Sequence, residues 1–204
     1  MRKKILLLFL TFVLNVLVLK SNDFIGISSF ENAYDLTDYK LVNNNLYVSI
    51  LSLGVISIDL DNSNYIGIYN DTIADLGDYG HRFDIEGNNL VTSQSKIYNL
   101  NNFESSGVFD SLNYADVCYY ENYFYTIDRN GVYSKRDKTN YNLIKSEKYN
   151  SELSFIQLDK GNFVFIKNKV VSVVDKEFKL SSFEINKEPY DFRVSGDFII
   201  IEFD

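Results

Sequence analysis

The chain alternates short apolar, aromatic runs with polar turns, and the alternation itself recurs at long range. Five times, a turn containing Asn or Gly leads directly into such a run. The copies are Asn43-Asn44-Asn45 before LYVSI, Gly87-Asn88-Asn89 before LVTSQ, Glu121-Asn122 before YFYTI, Gly161-Asn162 before FVFIK and Ser195-Gly196-Asp197 before FIIIE. From Asn45 to Asp197 the four intervals average 38 residues. Inside the copies the period is two. In GVISIDL, residues 54–60, Val55, Ser57 and Asp59 alternate with Ile56, Ile58 and Leu60, as in a half-buried strand. Asn130-Gly131, between YFYTI and GVYSKRD, is a strong short-range hairpin signal.

Each copy extends into a unit of up to four short strands, at about 34–71, 81–111, 115–150, 153–187 and 190–204. Self-similarity at a mean interval of 38 residues, built from short strands joined by tight turns, is the mark of a propeller blade. The expected fold is therefore all-β and β-propeller-like, with about five short blades of up to four antiparallel strands in one repeat domain over 21–204. FIGISSFEN, residues 24–32, reads as a fourth strand without its first three, and the last unit reads as two strands. Pairing the two would close the ring, because closure removes exposed strand edges. An open arc and a truncated chain are the alternatives.

Composition supports this reading. Tyr and Phe number 16 each, Trp is absent and Pro occurs once, at Pro189. Such a palette suits pleated surfaces better than helices. The first twenty residues differ in kind: Arg2, Lys3 and Lys4 precede the apolar run ILLLFLTFVLNVLVL at 5–19. A basic stretch followed by an apolar one describes a signal peptide. As a helix the run is about 22 Å long, short of the roughly 30 Å needed to span a bilayer. Residues 1–20 are thus expected to be a signal peptide or, if uncleaved, a membrane anchor. The expected localisation is export to the periplasm, cell surface or medium.

Charge narrows the partners. The full chain has 20 Lys and Arg against 28 Asp and Glu, a net of −8. Residues 1–20 hold four of the bases and none of the acids, so the remainder carries −12. That surface repels phosphate backbones, and nucleic acid is not an expected partner. The single cysteine, Cys118, lies in the alternating stretch ADVCYYEN, where a small buried apolar role is expected. One cysteine forms no intrachain disulfide and no cysteine-based metal site.

GVISIDL, through Gly54, Ile58, Asp59 and Leu60, resembles the signature strand of LVIVD-type β-propeller repeats, and KVVSVVD at 169–175 resembles a weaker copy. SKIYNL and GVYSKRD depart further. The resemblance covers about 24–204 and implies an exported propeller. It brings no catalytic residue and no cofactor.

Candidate chemistry is sparse. His81 is the only histidine, with Asp84 three residues on. It suits a general base or ligand at a blade rim, or a solvated loop residue. Tyr34-Asp35, Tyr114 with Asp116, and Tyr190-Asp191 recur near the first strand of their units. Paired rings and carboxylates suit peptide or glycan contact, because rings stack and carboxylates accept hydrogen bonds; core packing and solvated alternation are the plainer roles. The candidate binding residues are Tyr34, Asp35, His81, Asp84, Tyr114, Asp116, Tyr190 and Asp191; no catalytic or metal-binding set stands out. The expected function is a non-catalytic module contacting a protein, peptide or glycan. A polysaccharide lyase or hydrolase with Asp or His at a channel mouth is one alternative, and an inactive propeller fragment is another.

Overall fold

A computed structural model describes residues 7–8, 16–20, 23–27, 36–50, 54–59, 64–69, 82–102, 104–149, 155–195 and 198–203. The chain divides into two compact units, Met1–His81 and Arg82–Asp204.

In the first unit, β1 (Leu7–Leu8), β2 (Val16–Lys20) and β3 (Asp23–Ile27) form a three-stranded antiparallel sheet. β4 (Leu36–Val42), β5 (Asn45–Ile50), β6 (Gly54–Asp59) and β7 (Asn64–Tyr69) form a four-stranded sheet in sequence order. Val16–Lys20, at the end of the apolar run, form a strand: Val16 and Val18 are β-branched, and a hairpin with Lys20 opposite Asp23 satisfies the backbone locally. β3, in the stretch 24–32 read above as a fourth strand, pairs with β2.

The second unit repeats one design. β8 (Phe83–Glu86), β9 (Asn89–Thr92), β10 (Lys96–Asn99) and β11 (Ser105–Val108) make one antiparallel blade. β12 (Tyr114–Tyr120), β13 (Tyr123–Asp128), β14 (Val132–Asp137) and β15 (Leu143–Lys148) make the next. β16 (Phe155–Asp159), β17 (Asn162–Lys167), β18 (Val170–Val174) and β19 (Leu180–Glu184) make a third, and β20 (Asp191–Ser195) and β21 (Phe198–Glu202) a two-stranded sheet. The five recurrent aromatic runs are β5, β9, β13, β17 and β21, the second strand of each sheet from β4 onward.

The turns explain why the copies are legible. The first and second strands of the four-stranded sheets are joined by two-residue loops, closed by Val42–Asn45, Glu86–Asn89, Tyr120–Tyr123 and Asp159–Asn162 pairs. Such loops need positive φ to match strand twist. Asn43 (47°), Asn44 (68°), Gly87 (58°), Glu121 (55°), Lys160 (48°) and Gly161 (72°) supply it. Only Gly has room at 161, where an added Cβ would stand 3.0 Å from the Tyr125 ring.

Alternation along β13 and β17 fills two seams each. Phe124 turns toward Val91, Tyr114 and Val117, whereas Tyr125 and Ile127 turn toward Leu158, Phe163 and Phe165. Tyr133 sits at the centre of the second cluster, stacked on Tyr125 at 5.9 Å and tilted against Phe178 at 4.7 Å. Fully burying one such side chain contributes about 1.5–3 kcal/mol. Cys118 lies buried in this cluster, in the small apolar role read from its sequence. A third cluster joins Val164, Ile166 and Val171 to Phe192 of β20.

Candidate functional site

The first strands bear most of the acidic residues singled out by sequence, and their geometry follows one rule. In β4, β8, β12 and β20 an Asp Oδ1 accepts the N–H of the following residue: Asp38–Tyr39, Asp84–Ile85, Asp116–Val117 and Asp191–Phe192, each at 2.8 Å. That bond holds χ1 and aims the other oxygen. In two blades it is aimed at the neighbour. Asp84 Oδ2 accepts the Tyr119 N–H of β12 at 2.7 Å, and Asp116 Oδ2 accepts the Leu158 N–H of β16 at 2.6 Å. In the third blade Gln157 takes the part, accepting from Val194 N–H of β20 at 2.8 Å and donating to Val194 C=O at 3.4 Å. In each four-stranded blade of the second unit, one side chain thus fastens the first strand of the next.

Asp84 is 7% exposed and Asp116 4%. A buried carboxylate is tolerated when charge-assisted hydrogen bonds replace its water, and both oxygens of each are so engaged. Tyr114 is also buried. Its hydroxyl donates to Asp110 Oδ2 at 2.7 Å, and Arg136 Nη2 donates to the same oxygen at 2.6 Å and to the Tyr114 hydroxyl at 2.9 Å. Burial would raise the Asp110 carboxyl, but the bonds from Tyr114 and Ser111 N–H, with the Arg136 guanidinium, outweigh it and hold it below its ordinary value. Burial, reinforced by the bond to Asp110, pushes the Tyr114 phenol up to about 12. Phe109 stacks on Tyr114 at 5.7 Å, and Arg136 Nη1 donates to Tyr141 C=O at 3.1 Å. The cluster ties the linker after β11 to the β14–β15 turn.

Tyr190 and Asp191 stand apart from these buried groups. Tyr190 is 68% exposed, and the Asp191 side chain is 42% exposed, 3.7 Å from Arg193 Nε. Together they offer a ring face, a phenolic donor and a carboxylate acceptor to solvent. Tyr34, Asp35 and His81 lie outside the described residues. Of the described candidates, the fold brings Asp84 and Asp116 into matching seams, puts Tyr114 in the Asp110–Arg136 cluster and leaves Tyr190 and Asp191 outward. Among the described residues no group of three or more His, Cys, Asp and Glu is placed to hold a metal ion.

Sequence reasoning passed over Gln157, Asp110 and Arg136. Gln157 had a signal, the Asp-apolar or Gln-apolar pair found in every first strand from β8 onward. The Asp110–Arg136 pair, 26 residues apart in sequence, had none.

Four-stranded antiparallel sheets in simple sequence order, with their first strands side by side, are the blades of a β-propeller, and the chain is similar to solved propellers at low identity. The computationally designed Ika8 protein matches with a TM-score of 0.62 and 11% identity over 92% of this chain and 61% of that one. A chain of the Mitotic Checkpoint Complex matches at 0.62 and 9% over 90% and 62%. The Pan2 WD40 domain of Neurospora crassa matches at 0.58 and 11% over 81% and 57%. The chain thus spans less than two thirds of the length of each of these three. No family model matches the chain, and no curated protein does.

Proposed function

We propose that this chain is an exported, non-catalytic interaction module of LVIVD-repeat type, contacting a protein, peptide or glycan through an aromatic and acidic rim. One observation carries the binding reading. The inner-strand acids Asp84 and Asp116 each fasten a neighbouring blade, whereas Tyr190 and Asp191 face solvent, where a ring and a carboxylate are open to a ligand. Two propellers of similar fold belong to larger biological settings, the Mitotic Checkpoint Complex and PorZ, a bacterial surface component of a type-IX secretion system in Porphyromonas gingivalis.

The repeat type is supported by the residue at, or just after, the end of the third strand, the place of Asp59 in GVISIDL. Asn99 Oδ1 accepts from Asn101 N–H, Asp137 Oδ1 from Thr139 and Asn140, and Asp175 Oδ1 from Glu177 and Lys179. An acceptor there builds the turn into the fourth strand. Export rests on Arg2, Lys3 and Lys4 before the apolar run at 5–19.

Peptide and glycan arrays probed with the full chain test the binding reading. A class-specific signal that falls at least tenfold in Tyr190→Ala and Asp191→Ala supports the rim. A signal unchanged in both variants, or no class-specific signal, contradicts it. N-terminal sequencing of chain recovered outside the producing cell tests export.

A further inference from the structure

The outer strands of the blades are unequal. The pairings of β7, β11 and β15 with their inner neighbours each contain a register shift. β15 also carries Lys145, Glu147 and Lys148, with Lys145 and Glu147 paired at 2.7 Å. Bulges and charges are the usual devices that blunt a sheet edge. β19 has no bulge, and its one charged residue, Glu184, stands at its end. It pairs with β18 without a shift from Val170–Glu184 to Val174–Leu180, and it exposes Leu180 (56%) and Phe183 (49%).

The backbone of β19 fixes what that edge offers. Asp175 N–H donates to Lys179 C=O at 3.0 Å and Ile185 N–H to Lys169 C=O at 2.8 Å. These bonds bracket an antiparallel ladder in which hydrogen-bonded pairs fall at every second residue. Residues 179, 181, 183 and 185 therefore turn their backbone groups inward. Leu180, Ser182 and Glu184 turn theirs outward. The ends of the row are oppositely charged, Lys179 before it and Glu184 at its close, both exposed. A groove lined by Glu184, Ile185, Asn186, Lys187 and Phe203 continues from the Glu184 end.

We propose that the β19 edge binds an extended peptide segment of a partner protein as a fifth, antiparallel strand, with a basic residue opposite Glu184 and an acidic residue opposite Lys179. The backbone groups of Leu180, Ser182 and Glu184 supply its hydrogen bonds, and apolar residues of the peptide lie opposite Phe183 and Leu180. Charge complementarity sets direction: an antiparallel segment meets Glu184 first, so it reads basic to acidic from its N-terminus over six residues. The proposal deepens the interaction-module reading and rests on it, but uses a different surface from Tyr190 and Asp191.

The test uses the full chain and a fluorescent probe peptide, Arg-Val-Thr-Thr-Val-Asp, read by anisotropy. Wild type and Ser182→Ala are expected to bind it saturably. Ser182→Pro, which loses one outward N–H and none of the β18 ladder, is expected to bind at least tenfold more weakly with a near wild-type melting temperature. A probe N-methylated on the amides that face β19 is expected to lose binding to the same degree, which keeps the test valid if Ser182→Pro fails to fold. Equal binding of the methylated probe, equal binding of the charge-reversed peptide, or no saturation would overturn the proposal. So would a wild-type dimer in sedimentation that Ser182→Pro dissociates, because a second copy would then occupy the edge. Array binding through Tyr190 and Asp191, measured on the same Ser182→Pro protein, separates failure of the edge from failure of the rim.

Discussion

Asp116 and Leu158 lie 42 residues apart and meet at 2.6 Å, the carboxylate of one blade accepting the backbone N–H of the next. Asp84 and Tyr119 repeat the relationship at 2.7 Å. A carboxylate in this position serves two N–H groups at once, its own neighbour's and the next blade's, and both would otherwise be buried without partners. The cost of one such orphan is about 1–3 kcal/mol.

Asp116→Ala strands both Val117 N–H and Leu158 N–H and is expected to destabilise the fold by about 2–6 kcal/mol, two orphaned donors at about 1–3 kcal/mol each. Asp116→Asn turns an NH2 toward one of the two donors and is expected to fall between Ala and wild type. Urea denaturation of the three proteins checks the order. Asp191→Ala, at an exposed position, is expected to change stability by less than about 0.5 kcal/mol.

Gly161→Ala meets two obstacles, φ of 72° and the Tyr125 ring at 3.0 Å. A loss of about 1–3 kcal/mol is expected, read as a lower melting temperature. Gly87→Ala has positive φ but open space and is expected to lose less.

Acid should weaken the Asp110–Arg136 cluster. The folded-state pKa of Asp110 is lowered from an ordinary value of 3.8. Its contribution is therefore in place above about pH 4 and is lost as pH falls through the folded value. Asp110→Asn is expected to remove that part of the slope, up to about 1.4 kcal/mol per pH unit for one proton. Unfolding free energies of both proteins between pH 2 and pH 6 decide it.

At the alkaline end, burial raises the phenols of Tyr119 and Tyr133 well above the ordinary 10, and Tyr114 to about 12. A raised folded pKa means stability that is complete below pH 10 and is lost as pH rises beyond it. Spectrophotometric titration should show fewer than the 16 tyrosines ionising before the chain unfolds. Ionisation of all of them at pH 10–11 with the fold intact would contradict this burial pattern.

Much of the fold was legible because its turns constrain residue type. Two-residue loops need positive φ, so Asn43-Asn44, Gly87 and Gly161 mark the start of β5, β9 and β17. Aromatic runs such as YFYTI then supply both seams by alternation. The first strands hid more. Asp84 lies two residues before the end of β8 and Asp116 four before the end of β12. Spacing alone therefore does not show that they do the same job. Gln157 replaces the acid in the third blade, and Tyr114, read as a rim residue beside Asp116, is turned inward by Asp110 and Arg136. The apolar run at 5–19 suits a strand as well as a helix, since periodicity does not separate the two in so uniformly apolar a stretch.

Amide hydrogen exchange of Leu158, compared between wild type and Asp116→Ala, tests the seam most directly. The account predicts strong protection of this amide in wild type and its selective loss in the variant, while amides of the β17–β18 ladder such as Phe165 stay protected. A Leu158 amide that exchanges fast in wild type, or keeps its protection without the Asp116 carboxylate, would contradict the claim that this side chain fastens one blade to the next.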